Sequence, residues 1–450
     1  MTNLLSPRPM GLARQFGLAL ALASGTALLA VPGLTDAAHA QKKKKDDKQE
    51  AAKPVYSPAF VKAYQALDVA LKAPGADLAA LKPQIVALQP LAVSPDEKLA
   101  LGGMMFNAGI MSKDPAVQYE GVQLMLASGK ANPEEAGRYN VVASQLASSL
   151  KQYDAARGFL QKAIDLNYSG QGVTPSDLQL SMAELYFSED RNQEGLKYLA
   201  DAIAARKAQA SKVDERWYRR GVSVAYEGEI VPQVYEFVEG WVSDYGTEAN
   251  WRDAINLTRN LNDFPAPIML DLFRLGDRVG SLNVKNDYIF YIESADSRRL
   301  PAEVKRVIDE AYQRGVIPKG SDSWVEEQYK LANGLIAQDK SALPGLERDA
   351  AAPTAQLRTV IAAADATLSY NEFAKAAGFY EKALAMPGAD RDLVLTRLGI
   401  AQIGLKNYDA ARETLGKVTG ARMPVARLWS AYARQQASAS AAATTPAALS

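Results

Sequence analysis

Two stretches near the carboxyl end can be laid on each other, and that internal similarity limits the fold more than any other feature. The first carries Ala363 and Ala364, then Tyr370, Phe373, Ala376, Tyr380 and Ala383. The second carries Leu398 and Gly399, then Leu405, Tyr408, Ala411, Leu415 and Val418, an offset of 35 residues (411 − 376). A unit of this length cannot bury its apolar face alone and must stack on its neighbours. Small side chains at Ala376 and Ala411 allow one helix to approach another, and Tyr380 and Leu415 fill the groove to the next helix. Elsewhere Ala and Leu recur with charged residues at helical spacing while alternating β-branched runs are scarce, so the chain is read as all-α.

Further copies extend the pattern. One has Tyr153, Ala156, Leu160 and Ala163 within LKQYDAARGFLQKAIDL, and another has Met182, Ala183, Tyr186, Gly195, Leu199 and Ala202. Weaker ones have Trp217, Gly221, Ile230 and Phe237, then Trp251, Ala254, Ile255 and Phe264, after which Pro265 and Pro267 are expected to break the second helix. The set resembles the tetratricopeptide repeat family, whose ~34-residue unit places a small residue mid-way along its first helix and an Ala early in its second. The resemblance implies a right-handed α-α superhelix, a solenoid of antiparallel helix hairpins. In that setting the widely spaced Trp217, Trp251, Trp324 and Trp429 read as packing residues rather than a stacking platform.

The chain divides accordingly. Residues 1–40 read as a secretory signal, with Arg8 and Arg14 ahead of an apolar stretch from Phe16 to Val31 and a small-x-small cleavage signature at Ala38-His39-Ala40. Residues 41–56 form a charged, disordered linker that includes the basic run Lys42 to Lys45, which could also touch the envelope. Residues 57–135 read as divergent hairpins, with helices over Pro58–Lys72, Ala76–Leu88, Pro95–Met111 and Pro115–Ser128. Repeats follow over 136–264. Residues 265–350 form irregular hairpins, such as Asp287–Arg298 and Pro301–Gly315. Residues 351–436 return to repeats with a closing helix from Pro424 to Gln436, and an Ala/Ser/Thr tail over 437–450 is expected to be disordered.

Composition narrows the chemistry. The 51 Lys+Arg match 51 Asp+Glu, so no global basic field attracts nucleic acid. There is no cysteine, and the single histidine, His39, leaves with the signal. Histidine-based acid–base catalysis, Ser-His-Asp triads, thiolate nucleophiles and ordinary zinc sites are thereby set aside. No cofactor, no metal and no enzyme activity are expected. Glu293-Ser294 matches the Glu-Ser pair of solenoid-borne lytic transglycosylases, but the ADSRRLPAEV that follows lacks that family's Gly-rich segment. Gly315 and Gly320 are spaced like the start of a phosphate loop, yet Ser321 stands where its lysine belongs.

The resemblance therefore implies a periplasmic or secreted scaffold or adaptor that binds a protein or peptide partner on its concave face, in cell-envelope assembly or export. The alternative is a non-catalytic peptidoglycan or polysaccharide binder. The family register places Glu184, Phe187, Tyr218, Tyr226, Arg252, Asn256, Arg259, Asn260 and Asp365 on the groove-lining helices. Arg forks and amphipathic Tyr rings suit that task because they join contact area to directional hydrogen bonds.

Overall fold

A computed structural model describes residues 54–444, and over these it is built from twenty α-helices and two short 3₁₀ turns. Among the described residues the only β-type pairing is a single bridge between Gly170 and Val173. No described helix is long and apolar enough to cross a membrane. The expected signal, its cleavage point, the Lys42–Lys45 run and the last six residues lie outside the described residues.

The chain divides into two compact units, with the boundary in sequence between Leu185 and Tyr186. The first holds α1 (Pro58–Lys72), α2 (Leu78–Val86), α3 (Pro95–Ser112), α4 (Pro115–Ala127), α5 (Pro133–Ser149) and α6 (Tyr153–Asp165), and ends in the last turn of α7 (Pro175–Phe187). Their starts follow from local chemistry. Ser57, Ser94, Asp114 and Asn132 each accept an orphan backbone N–H and are followed directly by proline, whose missing N–H costs nothing at the first helical position. Side chains along α3 and α4 are small where the helices cross: a Cβ at Gly102 would lie 2.6 Å from the Gly121 carbonyl oxygen. The two backbones therefore touch.

Val55 and Ser57, at the edge of the expected linker, are held against the start of α3. Val55 N–H donates to Asp96 at 2.9 Å, Ser94 Oγ donates to the Val55 carbonyl at 2.7 Å, and Ser57 N–H donates to Glu97 at 2.7 Å. The Glu97 carboxylate also accepts the N–H groups of Val93 and Ser94. Burial alone would raise its pKa, but the backbone N–H groups of Ser94, Ser57 and Val93 outweigh it and hold the carboxyl down at about 2.

The second unit contains α8 (Asn192–Ala208), α9 (Glu215–Glu227), α10 (Gln233–Asp244), α11 (Glu248–Asn260), α12 (Ala266–Arg278), α13 (Lys285–Ala295), α14 (Pro301–Gln313), α15 (Ser323–Ala351), α16 (Leu357–Ser369), α17 (Phe373–Leu384), α18 (Arg391–Gly404), α19 (Tyr408–Leu415) and α20 (Met423–Thr444). Consecutive helices pack on one another throughout. A buried small residue is met by a buried large one sixteen positions later (237 − 221) in four pairs of helices: Gly221 and Phe237, Ala254 and Leu270, Ala364 and Tyr380, Gly399 and Leu415. A Cβ on Gly221 would fall 2.3 Å from the Phe237 ring, and one on Gly399 2.5 Å from Leu415. Trp217, Trp251 and Trp429 are fully buried, as their reading as packing residues requires.

Two expectations change. Pro265 and Pro267 do not break a helix; they start α12, one as its cap and the other in its first turn, where neither removes a ladder hydrogen bond. Over residues 265–350, α12 to α15 are helical hairpins that pack around a continuous core including Phe273, Tyr288, Tyr291 and Val307. The Ala-rich tail continues α20 to Thr444, consistent with the high helix propensity of alanine.

The closing helix does not merely cap its neighbour. Along α20, Trp429 Nε1 donates to the Asp271 carbonyl at 2.9 Å, Gln435 joins Trp251 and the Gly246 carbonyl, and Arg434 meets Glu239. The carboxyl end of this unit is thus packed on α10, α11 and α12. A stack whose members touch only their neighbours has no such contact.

Candidate functional site

The structure divides the nine predicted groove residues among different roles. On α7, Glu184 is half-buried and Phe187 is buried beneath the Arg220 guanidinium, which stands 5.2 Å from its ring centre. On α9, Tyr218 is buried and its hydroxyl donates to Asp244, while Tyr226 is half-buried. Burial, reinforced by Asp244, pushes the Tyr218 phenol well above its usual range. Along α11, Arg252 and Asn256 are half-buried and Asn260 is exposed. Arg259 lies 3.5 Å from Asp287 and 5.9 Å from the ring of Phe290. These α11 residues form the one group of the nine that shares an accessible helix.

Asp365 belongs to the interior. Arg397, 2% exposed, places one nitrogen 2.7 Å from each Asp365 oxygen and another 3.1 Å from Asp271. Asp271, fully buried, also receives Arg274 at 3.1 Å and Arg422 at 2.8 Å. Arg274 in turn grips Glu303 through two 2.7 Å bonds, and the Tyr291 and Tyr380 hydroxyls complete the shell at Glu303 and Asp365. Three guanidinium groups thus answer three carboxylates. Burial pushes the Asp365 and Glu303 carboxyls upward, but Arg397 and Arg274 respectively overcome it, so both stay ionised below the ordinary carboxylate range. The network joins α12, α14, α16, α18 and the turn before α20, and so fixes where the closing helix sits.

Where α20 and the end of α19 lie over α8 and α10, a cavity of about 520 Å³ remains. Ile203, Phe237, Leu415, Val418 and Met423 give it an apolar lining, and Lys207, Arg427, Arg434, Glu236 and Glu239 bring charge to it. Tyr218 is the only predicted residue among its walls. Lys207 lies 3.0 Å from Asp244 and its ammonium stands 5.4 Å from the Tyr218 ring centre. Arg434 is 3.4 Å from Glu239, whose carboxyl is pushed up by burial against the opposing pull of Arg434, Arg427 and Lys207.

Sequence reasoning missed this lining because it weighed only the first helix of each hairpin. One signal was available: Arg427 and Arg434 are seven residues apart and so share a face of the closing helix. Glu293 stands exposed on α13, and the Gly320 N–H donates to Glu326 at 2.7 Å. No group of three or more carboxylate, His or Cys side chains able to hold a metal ion occurs among the described residues. Compared with known proteins, the chain matches no family model and no curated protein sequence.

Proposed function

We propose that the chain is an exported scaffold of the tetratricopeptide kind, which binds a protein or peptide partner along the first helices of its hairpins. One observation carries this reading: the buried small-then-large pair at constant spacing occurs in the hairpins α9–α10, α11–α12, α16–α17 and α18–α19, and the polar side of α11 is left to solvent. Constant spacing of this kind is how stacked hairpins hold a continuous wall, and Arg252, Asn256, Arg259 and Asn260 supply it with directional hydrogen bonds. A right-handed superhelix, periplasmic residence after removal of residues 1–40, and a place in envelope assembly or export belong to the same proposal. The accessible part of the predicted groove is Tyr226 and the α11 set, because Tyr218, Asp365 and Phe187 are occupied internally.

Photo-crosslinkers placed in cells at Tyr226, Arg252 and Asn260 test it against others at Lys162 and Glu381, which are exposed on α6 and α17. A discrete adduct at the first set and none at the second supports the scaffold. Adducts at the second set alone refute the assignment. Purified protein incubated with murein sacculi separates the alternatives: co-sedimentation without released fragments identifies a polymer binder, and released fragments identify an enzyme.

A further inference from the structure

One cation in the cavity under α20 makes no hydrogen bond or ion pair with any described residue, although its field reaches the Glu239 carboxyl. Of its three cations, Lys207 is answered by Asp244 at 3.0 Å and Arg434 by Glu239 at 3.4 Å. Arg427 is half-buried and makes no hydrogen bond or ion pair with any described residue. Glu239 is already engaged and Glu236 is exposed to water on α10. A guanidinium partly withdrawn from water and left without a partner is unfavourable, and its planar fork matches a carboxylate through two parallel bonds.

We propose that this cavity binds a small molecule bearing one carboxylate on an apolar body, with the carboxylate on Arg427 and the body against Ile203, Phe237, Leu415 and Met423. The chemistry of the walls sets the class. A single unpaired cation calls for a single anionic group, and the apolar lining rewards a body without further polar atoms. A volume of about 520 Å³ lies within the range of small-ligand sites. An amine would meet three cations, and an alcohol would leave Arg427 unanswered. The walls come from α8, α10, α19 and α20 with Tyr218 of α9, so the site does not depend on the α11 surface and the two readings fail separately.

Calorimetry with the purified full chain tests the proposal, using decanoate below its micelle concentration, with decanol and decylammonium as comparators. Decanoate is expected to bind saturably at one site, and the alcohol and amine at least about tenfold more weakly. Arg427→Gln is expected to weaken decanoate by about tenfold or more, while Arg298→Gln, on an exposed surface residue, leaves it unchanged. Ala204→Trp fills the cavity from an exposed position on α8, so it abolishes binding without threatening the fold, and it decides the matter if the Arg427 variant does not fold. Absence of saturable binding, equal binding of decanol, or decanoate binding that survives Ala204→Trp overturns the site. Loss of the site with the α11 crosslinks intact leaves the scaffold reading standing.

Discussion

Replacing Arg397 with methionine removes one guanidinium from between the buried Asp271 and the half-buried Asp365, and the cost can be worked from what each carboxylate keeps. Asp271 retains Arg274 at 3.1 Å and Arg422 at 2.8 Å, so its charge is still answered. Asp365 retains only the Tyr380 hydroxyl at 2.6 Å. The loss therefore falls on Asp365, and removing one partner of a buried pair costs about 3–5 kcal/mol. That is a large share of the ~5–15 kcal/mol that a folded domain has in hand. In the native protein the Asp365 carboxyl is held below its unfolded value, so its contribution is complete above about pH 4 and fades as pH falls through the folded pKa. In the variant the largest opponent of burial is gone and only the Tyr380 hydroxyl and the field of Arg274 still oppose it, so the pKa is expected to rise above the unfolded value. The folded variant then takes up a proton more readily than the unfolded chain, and its deficit shrinks as pH falls from 7 to about 4.5. All five tryptophans lie between Trp217 and Trp429, so urea unfolding followed by tryptophan fluorescence reports the second unit alone. Adding Asp365→Leu to Arg397→Met is expected to recover about 2 kcal/mol or more at pH 7, since it removes the stranded charge. A deficit that is the same at pH 4.5 and pH 7, or a double variant no more stable than the single, refutes the account.

Two further outcomes rest on other parts of the fold. Gly399→Ala forces a methyl group to within 2.5 Å of Leu415 and is expected to cost ~1–3 kcal/mol. By contrast Gly378→Ala, on α17 with nothing within 4 Å, is expected to gain about 0.5–1 kcal/mol in the same fluorescence-detected titration. In the first unit, Glu97→Gln puts an amide where three N–H groups need an acceptor and is expected to cost ~1–2 kcal/mol at pH 7. Because the Glu97 carboxyl is held at about 2, its contribution is present above about pH 4.5 and lost toward pH 2. The native first unit, followed by far-UV circular dichroism, should therefore lose stability over that interval more steeply than the Gln variant.

How much of this was legible in the sequence depended on how far apart the cooperating residues stand. Helix starts were readable because a capping side chain and the proline after it act within four residues: the predicted Pro58–Lys72 coincides with α1, and Pro95 and Pro115 open α3 and α4 as expected. Pro265 and Pro267 carry the same local information and were misread. A proline that ends one helix and a proline that begins the next look alike until the neighbouring packing decides between them. The Ala-rich end misled differently, since its lack of large apolar residues argued for disorder while alanine itself favours the helix that α20 continues.

Non-local pairing accounts for what sequence reading placed elsewhere. The repeat register put Asp365 on a groove face, and within its own hairpin only the buried Tyr380 hydroxyl reaches it. Its fate is decided by Arg397, 32 residues on, and by Arg397's other partner, Asp271, 126 residues back. A trace of this survives in the sequence, because Asp271 and Arg274 interrupt the apolar run from Ile268 to Leu275 with charges that an amphipathic helix would place outside. Such charges are affordable only when paired, so they foretell a distant counter-charge without naming it. The cavity carries still less local signal: its walls come from residues 200–240 and 415–434, and only the docking of α20 brings them together. The buried ion network and the cavity are therefore coupled. Arg422, Arg397 and Asp271 set the position of α20, and that position determines whether Arg427 faces the space between α8 and α10. If so, Arg397→Met should weaken decanoate binding at pH 7 even under conditions where the second unit remains folded, although Arg397 does not line the cavity. Unchanged affinity in that folded variant would show that α20 is held by its apolar face alone and that the network only satisfies its own charges.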